Sequence, residues 1–164
     1  MFPIVQIVFA ILSIIVLGAA VMVVTNRNLF HSALYLILAF LGMAGLYVLL
    51  EAEFLAGVQV LIYVGAVAVL ILFAIMLSGR YLQDPGQQLN QQWPLAAIFT
   101  VLLFGMLTFV LLQVRWATVQ AEVPGNYLAR LGQDLMGPYV LPFEVASVLL
   151  LVAMIGAIVI ARER

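Results

Sequence analysis

The sequence predicts an all-α, polytopic integral membrane protein with five transmembrane helices. Three observations carry that prediction. The 164 residues are 67% hydrophobic and 8% charged, with a mean hydropathy of +1.27, against roughly half apolar and about a quarter charged in soluble domains. The apolar residues fall into five runs of about 20 residues, the length of helix that crosses a hydrocarbon core about 30 Å thick. All six arginines and all seven carboxylates fall at the ends of these runs or between them. Five spans fill the chain as a single membrane domain over 1–164 and leave no room for a soluble catalytic domain.

The first span covers about residues 3–24, with Gln6 and Ser13 as its polar side chains. It lacks a basic leader, is too long for a signal sequence and precedes no A-x-A site, so it reads as a retained helix. Thr25-Asn26-Arg27-Asn28 forms a short polar turn, and Asn28 suits the N-cap of the second span, about 29–50. Glu51-Ala52-Glu53 is a tight acidic link to the third span, about 54–77. A polar loop with turn residues around Asp84-Pro85-Gly86 follows. Trp93 reads as an interfacial anchor before the fourth span, about 94–114. Arg115 to Tyr139 is the longest stretch outside the membrane. The fifth span, about 141–161, carries Pro142 in its first turn, where proline is tolerated. No internal repeat or low-complexity tract is evident.

Arginine placement orients the spans. Arg27, Arg80, Arg162 and Arg164 share one side, and Arg115 and Arg130 share the other. That excess predicts an external N-terminus and a cytoplasmic C-terminus.

Composition also excludes function classes. With no cysteine there is neither a disulfide nor a Cys-ligated iron–sulfur cluster. A single histidine argues against a haem or zinc site built by this chain alone. A net charge of −1 gives no footing for nucleic acid. Pumps and proton relays place ionisable groups inside the bilayer, and this chain places none there. It is therefore a poor candidate to carry ions by itself.

The third span is the exception to bland lipid-crossing sequence. GVQVLIYVGAVAVLILFAIML, Gly57 to Leu77, carries Gln59, Tyr63 and Gly65. Tyr63 lies roughly 13 to 14 Å along the helix from Phe54, near the midplane. Gln59 is one turn earlier on the same face, which continues through Ala66 and Leu70. A phenol stays neutral at physiological pH, yet it donates and accepts hydrogen bonds. It can orient water or pass a proton without holding charge. Gly57 and Gly65 also share a face, and small residues let membrane helices approach closely. Glycine further eases insertion of a π-bulge, a frequent mark of functional sites. On chemistry alone, ordinary helix packing explains these residues more simply than a proton path does.

Two outlying residues have similar alternatives. Glu144 falls in the first turn of the fifth span, where a carboxylate is favoured by the helix dipole; its other reading is docking against a partner helix. His31 falls in the first turn of the second span, where it caps or bonds a neighbour, with Tyr35 on the same face. Tyr47, Trp93 and Trp116 suit interfacial belts.

Three blocks resemble a known family: NRNLFHSALYLIL (Asn26–Leu38), EFLAGVQVLIYVGAVAVLILFAIML (Glu53–Leu77) and LPFEVASVLLLVAMIGAIVIAR (Leu141–Arg162). In order and hydropathy they are similar to chain J of bacterial NADH:quinone oxidoreductase, respiratory complex I, the counterpart of mitochondrial NADH dehydrogenase subunit six. The fourth span and the long loop match only in hydropathy.

The resemblance implies a membrane-arm subunit that couples quinone reduction to proton translocation, and no complete active site in this chain. It implies a bacterial inner-membrane location and a set of partners: chains A, H and K and the antiporter-like subunits. NADH, FMN, iron–sulfur clusters and quinone are expected in those partners and none in this chain. It further implies a π-bulge around Tyr63, Val64, Gly65, Ala66 and Val67, in a helix that rotates to open or close a hydrated path. Tyr63 would line that path and Gly65 would permit the bulge. Some members carry glutamate where this chain has Gln59, so the charge would come from a neighbouring subunit. A stand-alone small-solute channel and a purely structural scaffold are the alternatives.

Overall fold

Long apolar runs leave backbone groups no partner but one another, so in a membrane they wind into helices. In the computed structural model, which describes residues 2–78, 92–114 and 125–162, this is what they do. The elements are α1 (Phe2–Thr25), α2 (Leu29–Leu49), α3 (Glu53–Val58), a π-helical segment (Gln59–Ala68), α4 (Val69–Leu77), α5 (Trp93–Gln113), α6 (Tyr127–Met136) and α7 (Val140–Ala161). No strand occurs among the described residues. The segments α3, π and α4 form one continuous rod, Glu53–Leu77. With α1, α2, α5 and α7 it makes five helices long and apolar enough to cross a membrane. The fold is thus all-α and polytopic. Arg80, Arg115 and Arg164, which enter the orientation argument, lie outside the described residues, as do Asp84, Glu122, Glu163, Trp116 and the loop around Pro85.

The chain divides into two units, Met1–Gln113 and Val114–Arg164. In the first, α2 is the central helix, packed against α1, α3, the π segment and α4. Its interior is built almost entirely of small residues. The buried apolar side chains are Ala19, Ala33, Ala39, Ala44, Ala56 and Ala68, joined by the polar Ser32 and Gln59. Close backbone approach, and the dispersion it gains, replaces the bulky core of a soluble protein. The approach is tightest where α1 crosses α2. A Cβ on Gly42 would stand 2.6 Å from Val16 Cγ2, and one on Gly45 would stand 3.0 Å from Leu12 Cδ2. Taken by itself, α5 buries none of its side chains.

Local chemistry sets the breaks between helices. The Asn28 side chain accepts hydrogen bonds from the backbone N–H groups of Phe30 (2.9 Å) and His31 (3.4 Å), capping α2. At the far end of α2, Ala52 N–H donates to Tyr47 O at 2.9 Å and Glu51 N–H to Val48 O at 3.0 Å. This is a Schellman closure, which places its turning residue in the left-handed region. That residue is Glu51, with φ 57°, in a position usually held by glycine. Hydroxyls within spans bond back to the carbonyl one turn earlier. Thr100 bonds Ala96, Thr108 bonds Phe104 and Ser147 bonds Phe143, so no free donor faces hydrocarbon there.

In the second unit, α6 packs on α7. Sequence reading treats this stretch only as a long loop; the structure adds a ten-residue helix. Pro142 sits in the first turn of α7, where the missing N–H has no helical partner to lose.

Candidate functional site

The site under consideration is the middle of the third span, where the winding changes. An α-helix closes i→i−4 hydrogen bonds at 3.6 residues per turn, whereas a π-helix closes i→i−5 bonds and winds wider. The π winding runs over Gln59–Ala68, so it includes Tyr63, Val64, Gly65, Ala66 and Val67 and begins four residues before Tyr63.

This winding has a consequence that can be read from burial. Gln59 and Ala68 are nine residues apart. At 3.6 residues per turn they would point to opposite sides of the rod. Both are buried instead, Gln59 to 7% and Ala68 to 1% exposure, and the π segment packs on α2. The wider turn brings both side chains to the same side. It therefore sets the rotational phase of α4 relative to α3.

Gln59 is a buried amide in the first third of the span, with no side-chain hydrogen bond to another described residue. It nevertheless has no fully occluded unsatisfied atom, so its remaining exposure lies at the amide end. Tyr63 is different. It is 46% exposed, and its ring meets Phe40 of α2 edge-on, with centroids 5.5 Å apart at 72°. Such edge contacts are worth about 0.5–1.5 kcal/mol beyond area burial. The structure thus separates Gln59 from Tyr63: the first is enclosed against α2, and the second lies at the margin of the packed surface. They do not make one exposed polar face. Ala66 and Leu70 are exposed, as Tyr63 is.

Gly65 is exposed, and a Cβ there would stand 3.4 Å from the Val60 carbonyl oxygen, the carbonyl five residues back. That is ordinary contact for one carbon. A branched side chain would crowd it.

The outlying residues are placed as follows. Gly57 is exposed, and a Cβ on it would meet nothing within 4 Å. It lines no contact among the described helices of its unit. Its face is not the packed face of the rod. Glu144 does not sit in the first turn of the fifth span, as the sequence leads one to expect. The helix starts at Val140, with no acidic residue in its first turn. Glu144 is one step deeper, where the dipole effect has faded, and it is exposed. His31 is exposed, its backbone N–H held by Asn28 and its ring edge-on to Phe30 with centroids 6.2 Å apart. Phe40 is the neighbour of the site that sequence reading missed. A lone phenylalanine in an apolar run carries no signal until the helix pairing is known. Among the described residues, no group of three His, Asp or Glu side chains gathers in a metal-binding cluster.

Five apolar helices, the third carrying a π-wound segment with Gln59 and Tyr63, define a polytopic membrane protein. Comparison with known proteins then gives the particular group. The chain belongs to the NADH-ubiquinone/plastoquinone oxidoreductase chain 6 family, whose model matches residues 19–160. It is 43% identical over 159 residues to NAD(P)H-quinone oxidoreductase chain 6 of Synechocystis sp., covering 94% of this chain and 79% of that protein. It is 45% identical over 159 residues to the organellar-chromatophore NAD(P)H-quinone oxidoreductase subunit 6 of Paulinella chromatophora, covering 94% and 76%. It is 38% identical over 160 residues to F(420)H(2) dehydrogenase subunit J of Methanosarcina mazei, covering 94% and 89%.

Proposed function

We propose that this chain is a non-catalytic, energy-coupling subunit of a proton-translocating quinone oxidoreductase, and that its third span gates a hydrated proton path. The observation that carries the reading is the π winding over Gln59–Ala68, in the middle of a span otherwise made for lipid. A π segment holds a helix out of its relaxed winding. Return to α winding would turn α4 relative to α3 and carry Ala68 away from α2. Two windings of one segment would give a two-state element of the kind a coupling machine needs.

The side chains support a gating part over a proton store. Gln59 and Tyr63 are neutral groups able to order water. No Asp, Glu, Lys, Arg or His lies in the π segment. The charge that moves must then belong to neighbouring subunits, expected to be chains A, H and K and the antiporter-like subunits. NADH, FMN, iron–sulfur clusters and quinone are likewise expected in partners, since this chain offers one histidine and no cysteine.

The relatives support a donor-independent role. Their names pair the same kind of chain with NAD(P)H in one case and F(420)H(2) in another, at 43% and 38% identity. A subunit that tolerates a change of donor sits away from donor chemistry. We assign the chain to the bacterial inner membrane, with its N-terminus outside. A protease-accessible C-terminal tag on the outer face of oriented vesicles would reverse that orientation.

Tyr63→Phe tests the reading. It removes one hydroxyl and keeps the ring against Phe40. The expected result is full assembly and retained quinone reduction, with fewer protons translocated per electron. Interhelical hydrogen bonds in membranes average about 0.6 kcal/mol, so loss of stability would not explain a pumping defect. Wild-type pumping in this variant removes Tyr63 from the path.

A further inference from the structure

We propose that α6 is an interfacial helix that seats one face in the headgroup–acyl boundary of the bilayer, on the side where α7 enters. This inference stands apart from the gating reading. It rests on the pattern of α6, on what α6 leaves uncovered and on the elbow that ties it to α7.

The pattern is two-sided. At 100° per residue, Tyr127, Leu131, Leu135, Leu128 and Met136 occupy one broad arc, and Gln133, Arg130 and Asp134 occupy the remainder. Part of the apolar arc is covered, since α6 packs on α7 and Tyr127, Leu131 and Leu135 are half-buried, with Asp134 beside them. The rest is uncovered: Leu128 is 56% and Met136 70% exposed. An isolated ten-residue helix is too short to persist in water on its own propensity. An uncovered apolar arc in water would weaken it further.

The elbow identifies what covers that arc. Only Gly137, Pro138 and Tyr139 separate α6 from α7. The joint is also hydrogen-bonded: Gly137 N–H and Tyr139 N–H both donate to Asp134 O, at 3.3 and 2.9 Å, and Val140 N–H donates to Gly137 O at 3.2 Å. A Cβ on Gly137 would lie 3.1 Å from the Gln133 carbonyl oxygen, so the elbow is closely fitted. These bonds fold the three residues, so the first residue of α7 stays within about one turn of the last turn of α6. The headgroup layer on each side of the hydrocarbon is several ångströms thick. The C-terminal end of a helix fixed this closely to the first residue of a membrane span lies at the depth of that layer. At that depth, an amphipathic helix places its apolar arc among the upper acyl segments and its charged arc in water.

The test uses the assembled complex in its native membrane. The photoreactive amino acid p-benzoylphenylalanine replaces Leu128, Met136 or, as the polar-arc control, Gln133. After irradiation, the chain is analysed by mass and by gel mobility. The proposal expects lipid adducts at Leu128 and Met136, several-fold above the yield at Gln133. Adducts joining Leu128 or Met136 to another polypeptide would overturn it, because a partner subunit would then cover the face. Equal lipid yield at all three positions, or no adduct at Leu128 and Met136, would overturn it equally.

Discussion

Glu51 shows how a single residue can be read in energies. Its φ of 57° closes α2 in the conformation that glycine adopts freely. For a residue with a Cβ, that conformation costs roughly 1–2 kcal/mol. Glycine would remove that strain and return roughly 0.5–1 kcal/mol in backbone entropy. Glu51→Gly should therefore stabilise the α2–α3 connection by about 0.5–1 kcal/mol, measured as a higher SDS midpoint of the purified chain in mixed micelles. A lower midpoint would mean that the carboxylate holds a partner worth more than the strain. Tyr63 and Gln59 were legible as unusual residues in a lipid-crossing run. Their different surroundings were not, because four residues place them on nearly one side in either winding, and which of the two α2 covers depends on the helix pairing. A separate effect, a helix start at Val140 one residue earlier than the apolar run indicates, places Glu144 beyond the first turn of α7.

Among elements, the α1–α2 pair gives the sharpest packing prediction. Val16 is β-branched and has essentially one rotamer in a helix, and its Cγ2 would stand 2.6 Å from a Cβ on Gly42. Leu12 can yield more readily, and its nearest carbon would stand 3.0 Å from a Cβ on Gly45. Gly42→Ala should therefore destabilise the pair by about 1–3 kcal/mol, the usual range for overpacking, and Gly45→Ala by less. Val16→Ala should restore the Gly42→Ala variant. Equal effects at both glycines, read by the same SDS titration, would contradict a contact tighter at Gly42 than at Gly45. The five long elements were plain from hydropathy, since a run of about 20 apolar residues has few other uses. By contrast, α6 was hidden. Its apolar residues recur at helical spacing over only ten positions, with Gly132 among them, and a search for spans passes over it.

For the whole molecule, α5 and α7, each taken by itself, bury none of their described side chains, as suits a subunit whose neighbours and lipid complete it. The fold class was therefore legible from sequence, while the chain's partners entered only through family resemblance. The central claim is that the π segment moves, and Gly65 offers the most direct test. A Cβ there reaches 3.4 Å from the Val60 carbonyl oxygen; alanine fits, whereas the branches of valine crowd the π turn. If valine places about 1–3 kcal/mol of overpacking on the π state, a cycle that must visit that state slows by about five- to 150-fold. The measurement is quinone-reductase turnover, with protons translocated per electron, in sealed vesicles carrying the assembled complex with Gly65→Ala or Gly65→Val. A moving π segment gives near wild-type behaviour for alanine, and full assembly with slowed turnover for valine. A valine variant that assembles and turns over at the wild-type rate, or one that fails to assemble, would contradict it.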